Sequence, residues 1–181
     1  MNQAGLREQA NSLIPLVRSK SPQVVLSSDL LRASETAEIV ATALGIPLVI
    51  VPALREVYLG AAQGLTTSEV DQEYGVGTWK RWLESSPDTD GMHFPTGESK
   101  SEVEARVCSA LLGFISGNHY DNIAVCGHGF SMSRLWYRLG GMTGDGLELR
   151  NELPYYFEIS WDANTDLKLR SIAAGSFRLV Q

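Results

Sequence analysis

Two short apolar runs constrain this chain most. "QVVLSS" (23–28) and "DNIAVCG" (121–127) place apolar residues side by side, and each breaks off before a helical pattern begins. A strand with apolar side chains at successive positions needs cover on both faces, which a parallel sheet between helix layers supplies. A third run, "PLVIV" (47–51), follows Gly45. Strand–helix alternation of this kind predicts an α/β fold.

The intervening segments carry helix signals. Leu6, Ala10, Leu13, Ile14 and Val17 recur at helical spacing over 3–19, with Pro15 inside the run. "DLLRASETAEIVATAL" (29–44) is amphipathic, with Ser28 or Asp29 placed to cap its start and Gly45 to end it. Thr66 and Glu69 form a capping box for a short helix over 66–74, and a helical turn is expected at 78–84. Ser99, with Glu102 three residues on, opens a long helix over 99–116, and another is expected over 131–141. The runs "YYFEISWD" (155–162) and "DLKLRSIA" (166–173) flank "ANT" as a hairpin. No repeat or linker divides the 181 residues. One domain over 1–181 is therefore expected, with a mixed, mainly parallel sheet flanked by helices.

Composition narrows the function classes. A net charge of −6 argues against a nucleic-acid surface, which would be basic. No apolar run approaches the roughly 20 residues of a membrane span, so no membrane contact is expected. The opening "MNQAGLREQA" lacks the charged start and apolar centre of a signal peptide, and a cytoplasmic location follows as the expectation. Cys108 and Cys126 lack C-x-x-C spacing and are expected as reduced thiols. Neither a metal nor another cofactor is expected.

Ligands of open α/β sheets bind beyond the carboxyl ends of the parallel strands. The 23–28 strand runs into Ser28-Asp29-Leu30-Leu31-Arg32, and the 121–127 strand into His128-Gly129. Glu56 follows the third strand, in "LREVYLGAAQG" (54–64). Arginine offers a fork of donors matched to phosphate oxygens. Histidine adds a donor near neutral pH, and a carboxylate beside them can act as an acid. Together they point to a phosphate ester. Singly, Arg32 is an ordinary solvated helix residue, Glu56 a surface carboxylate and His128 a hydrogen-bonded structural histidine. His93 and His119 lie in predicted loops as surface residues, and Trp79 and Trp82, three apart, suit packing.

The combination has a likeness. "SSDLLRASETAEIVATALGIPLVIVPALREVYLGAAQG", "PTGESKSEVEARV" and "VCGHGFSMSRLWYRLGG" resemble, in order and approximate spacing, the histidine phosphatase superfamily with its phosphoglycerate mutase-like fold. The resemblance implies phosphate binding by Arg32 in the S-D-L-x-R-A segment. It implies a proton-donating Glu56 in the L-x-E-x-x-x-G segment, and a second catalytic histidine at His128, with Gly129 beside it. Gly97-Glu98-Ser99 matches the family's G-E-S helix start, and Asn151 stands where a family asparagine precedes the last strands. Inorganic phosphate or a small phosphorylated substrate is the implied partner. The short stretch from Gly64 to Gly97 favours a phosphomonoesterase over a phosphoglycerate mutase-type phosphotransferase.

One family feature is missing. The nucleophile is a histidine in an R-H-G motif ending the first strand, and no R-H-G occurs in this sequence. Met1–Ala10 resembles the segment that follows that motif. Three explanations stand open: the chain is an N-terminally incomplete version of an active protein, it is a non-catalytic binder of a phosphorylated ligand or a partner protein, or another residue such as His93 substitutes. The polypeptide as written is expected to be inactive. The resemblance also places the missing strand between the 23–28 and 121–127 strands. Closure of that gap is expected by direct pairing of the two or by a segment from another copy in a homodimer.

Overall fold

The computed structural model describes residues 3–84, 86–140, 158–161 and 167–171. Helix α1 (Gln3–Ser19) leads into strand β1 (Val24–Ser27), helix α2 (Leu31–Leu44) and strand β2 (Leu48–Ile50). Helices α3 (Thr67–Tyr74) and α4 (Thr78–Leu83) follow, and then the long α5 (Lys100–Gly117). Strand β3 (Ile123–Cys126) and helix α6 (Gly129–Arg138) complete the main body, and β4 (Glu158–Trp161) and β5 (Leu167–Ser171) pair as an antiparallel hairpin.

Three parallel strands stand in the order β2-β1-β3. Alternate side chains of β1 serve opposite faces. Val24 and Leu26 pack with Val103, Val107 and Leu111 of α5 and with Met132 and Leu135 of α6. Val25 packs on the other side with Ala37, Val40 and Ala41 of α2, backed by Ile14 and Val17 of α1. The result is a mixed α/β architecture with a parallel sheet between helix layers. All four residues of β1 are buried because it has a strand on each side and helices on each face.

Among the described residues no strand stands between 23–28 and 121–127, and of the two expected closures it is direct pairing that occurs. β1 and β3 pair directly, residue for residue from Val24↔Ile123 to Ser27↔Cys126. The backbone groups of β1 are met by β2 on one side and β3 on the other, so no segment from another copy is needed there. The terminal hairpin likewise does not extend the parallel sheet among the described residues. Its pairing is with itself, while Ile159 and Trp161 pack against the same cluster as Ile123 and Val125.

Most helix boundaries fall where the sequence put them. Both capping boxes form, Thr66 with Glu69 and Ser99 with Glu102. Gly45 ends α2 at φ 69°, in the left-handed region that glycine adopts without a Cβ penalty. The start of α2 differs: its N-cap is Leu30, with no side-chain cap. Ser28 and Asp29 are engaged elsewhere, as described next.

Candidate active site at the strand ends

The shared register of β1 and β3 fixes the geometry. Because Ser27 lies opposite Cys126, the residues just beyond the two strands emerge side by side. Ser28 Oγ lies 2.6 Å from His128 Nε2, and both residues are buried. His128 is extended at φ −125° and is the N-cap residue of α6, so the chain turns from strand to helix at this residue. Gly127 before it is tightly covered: a Cβ there would lie 2.7 Å from Met132 Cγ.

Burial pushes the His128 imidazole below its ordinary value of 6.5, and the nearby charge of Arg32 pushes the same way. The Glu56 carboxylate opposes the shift, and Arg106 adds to it. The ring is therefore neutral at pH 7. Arg32, Glu56 and Arg106 thus lie near enough to His128 for their charges to act on its ring. Arg32 itself is exposed on the first turn of α2.

Glu56 sits in the loop between two 3-10 turns, Pro52–Leu54 and Gly60–Ala62. Its carboxylate accepts the N–H of Phe130 at 3.0 Å and of Ser131 at 2.8 Å, and that of Val57 at 3.0 Å. Orphan N–H groups and the positive end of the helix dipole make a helix start attractive to an anion. Here Glu56 is that anion, which draws the loop onto α6 directly after His128 and Gly129.

The Glu56 loop is stitched in place from α5. Arg106 gives Nη1 to the carbonyls of Ala53 at 2.6 Å and Arg55 at 3.0 Å. Its remaining nitrogens grip Glu98 as a fork, at 2.7 and 2.9 Å. Glu98 also accepts the Tyr58 N–H at 2.9 Å, and its own N–H reaches the Tyr58 carbonyl at 2.8 Å. The two loops cross so closely that a Cβ on Gly60, at φ +56°, would stand 2.2 Å from the Pro95 carbonyl oxygen. A substituent there meets backbone, which cannot swing aside as a side chain can.

Asp29 pairs with Arg55, whose Nε donates at 2.6 Å. That hydrogen bond holds the Asp29 carboxyl below its usual range and raises the Arg55 guanidinium. Arg55 is thus committed to Asp29 beside the rim, although both side chains remain open to solvent.

Aromatic packing backs the site. The Phe130 ring stacks on Trp82 with centroids 5.3 Å apart and planes 9° from parallel. Trp82 is buried with Val70, Ala62 and Phe94, and Trp79 stacks on Phe94. Both tryptophans are packing residues, as their spacing suggested. Lys100 Nζ lies 5.4 Å from the Trp82 ring centroid.

The other candidates lie apart. His93 is exposed, donates Nδ1–H to the Phe94 carbonyl at 3.1 Å, and its charge acts at Glu102. His119 is exposed at the end of α5. Cys108 and Cys126 are free thiols, and burial raises both, Cys126 to about 11. Asn151 lies outside the described residues. Among the described residues no group of three His, Cys, Asp or Glu could hold a metal ion, and no helix is long and apolar enough to cross a membrane.

Three residues of this constellation were not singled out by the sequence. Ser28 was legible only as a helix cap, Glu98 only as part of a helix start, and Arg106 only as one letter of the "PTGESKSEVEARV" segment. Their roles depend on contacts across 100, 40 and 51 to 53 residues, which no local pattern encodes.

Comparison with known proteins adds to this geometry. Residues 2–162 match the family description "Histidine phosphatase superfamily (branch 1)". The chain is 29% identical over 154 residues to a probable phosphoglycerate mutase from Yersinia pestis, covering 83% of this chain and 69% of that protein. Among solved structures, it resembles the alpha-ribazole phosphatase from Shigella flexneri at 26% identity and a TM-score of 0.66, over 98% of this chain and 87% of that one. It also resembles a mycobacterial glucosyl-3-phosphoglycerate phosphatase solved in complex with VO3, at 27% identity and a TM-score of 0.65, over 74% of this chain and 66% of that one.

Proposed function

Because the chain belongs to the histidine phosphatase superfamily, we propose that its strand-end site binds the phosphoryl group of a small phosphomonoester. Arg32 supplies the fixed positive charge. His128, with Gly129 at the start of α6, borders the same anion. Glu56 stands next to them; to protonate a departing alcohol, the role the resemblance implies, it would first take up a proton on Oε2, which accepts one backbone N–H where Oε1 accepts two. The observation that carries this reading is the convergence of Arg32, Glu56 and Arg106 on the electrostatics of one buried histidine at the strand ends.

In superfamily chemistry a histidine attacks phosphorus, and arginines with the second histidine stabilise the charge that develops. The sequence contains no R-H-G motif to supply that first histidine. The 181-residue polypeptide is therefore proposed to bind phosphate without appreciable turnover. A phosphomonoesterase lineage is favoured over a mutase because, among the described residues, the short span from Gly64 to Gly97 holds α3, α4 and one 3-10 turn.

Calorimetric titration with phosphate and vanadate tests the site. Binding is expected near a millimolar dissociation constant, about 4 kcal/mol, and is expected to be lost in Arg32→Ala and His128→Ala. Binding that survives both substitutions would place the anion elsewhere. Hydrolysis of p-nitrophenyl phosphate is expected to be negligible. Robust turnover lost in both His128→Ala and His93→Ala would instead make His93 the nucleophile.

A further inference from the structure

We propose that Ser28 is a positioning residue that fixes the single proton of the His128 ring on Nδ1. A hydroxyl has one hydrogen to donate and two lone pairs to accept with. Ser28 is fully buried just past the end of β1, and its Oγ already accepts the Leu30 N–H at 3.3 Å. Among the described residues, the one acceptor within reach of its own O–H is His128 Nε2, at 2.6 Å.

The direction of the hydrogen bond follows from burial. If Nε2 carried the proton and donated to Ser28, the serine O–H would be left without an acceptor in a site closed to water. Buried hydroxyls without partners are costly, and native structures rarely keep them. Ser28 therefore donates, Nε2 accepts, and a neutral ring must hold its proton on Nδ1. The partner at one ring nitrogen sets the tautomer at the other. The α2 helix gives a second sign of this commitment: it starts without a side-chain cap although Ser28 and Asp29 stand just before it.

The charged groups that act on the ring are Arg32 on α2, Glu56 in the loop after β2, and Arg106 on α5. None of them substitutes for a neutral donor at Nε2. With Nε2 held by Ser28, the ring offers Nδ1–H as its donor to an anion at the rim. That last step rests on the phosphate reading above; the tautomer does not.

Long-range proton–nitrogen correlation spectra of the uniformly labelled chain at neutral pH test the assignment without any ligand. His128 is expected to show a protonated Nδ1 and a bare Nε2. A protonated Nε2 in the unsubstituted protein overturns the proposal, whether or not any variant folds. In Ser28→Ala the fixed tautomer is expected to be lost and the affinity for inorganic phosphate to fall about tenfold, the scale of one hydrogen bond. Ser28→Thr, which keeps the hydroxyl, is expected to restore both. An unchanged His128 tautomer in Ser28→Ala also overturns the proposal. Absence of phosphate binding in the unsubstituted protein, with Nδ1 protonated, would refute the phosphate reading and support the tautomer.

Discussion

The Glu56 carboxylate lies 2.8 Å from the backbone N–H of Ser131, so a loop acid closes the first turn of α6. His128, the N-cap residue, gives no side-chain cap of its own. Three backbone donors converge on the two oxygens of Glu56. Glu56→Gln keeps one acceptor oxygen but turns an NH2 group toward donors. Its expected cost in urea denaturation is about 1–3 kcal/mol. A variant within about 0.5 kcal/mol of the unsubstituted protein would show that these contacts do not hold the helix start.

Two glycines with positive φ give a matched comparison. A Cβ on Gly45 meets nothing within 4 Å, whereas one on Gly60 strikes the Pro95 carbonyl and the Gly97 backbone. Gly45→Ala is expected to cost about 1 kcal/mol, the conformational penalty alone. Gly60→Ala adds a clash with backbone and is expected to cost about 2–4 kcal/mol. Equal losses in chemical denaturation would mean that the two loops do not cross so closely.

Arg32 is expected to hold down the protonation midpoint of His128. Its positive charge disfavours a second positive charge on the ring. In Arg32→Gln the His128 midpoint, followed by NMR, should rise toward 6.5. The sign carries to stability. A histidine that binds its proton less readily when folded loses stability as pH falls below 6.5, and the substitution should soften that loss. A midpoint indifferent to Arg32 would separate the two residues.

Lys100 makes the opposite end of the pH range informative. It is fully buried, and its Nζ donates to the Glu84 carbonyl at 2.6 Å and Thr89 Oγ1 at 2.8 Å. Burial, aided by the charge of Arg134, lowers its pKa from 10.5 to about 8. Between those two values unfolding takes up a proton, so raising the pH should stabilise the fold. The difference in stability between the unsubstituted protein and Lys100→Met should therefore grow in favour of lysine from pH 8 to 10.5. Parallel pH profiles for the two would refute the depressed lysine.

The sheet and its helices were legible because their signals are local. Apolar tetrads, capping boxes at Thr66 and Ser99, and Gly45 each encode their own structure within a few residues. The hairpin was legible too, since β4 and β5 are joined by a short connection. Strand order was legible only through the resemblance, which left direct pairing of β1 with β3 open beside a segment from another copy: the pairing joins residues about 100 apart, and an apolar strand pairs equally well with any matching neighbour. At the site, Arg32, Glu56 and His128 stood out through their place after strands. Ser28 did not, because serine before a helix ordinarily means a cap, and only burial beside His128 redirects its hydroxyl. Arg106 was hidden for a related reason: a long side chain on a helix shows nothing in sequence about which distant carbonyls it reaches.

The unbroken register between β1 and β3 also decides which kinds of inheritance error the protein survives. Val24, Val25 and Leu26 serve opposite helix layers in turn. Deleting one codon from this strand would exchange the two layers' side chains and carry Ser28 out of line with His128 in a single step. A conservative replacement at any one of these positions disturbs only its own contacts. Along this strand, evolution can substitute letters but has little freedom to change their number.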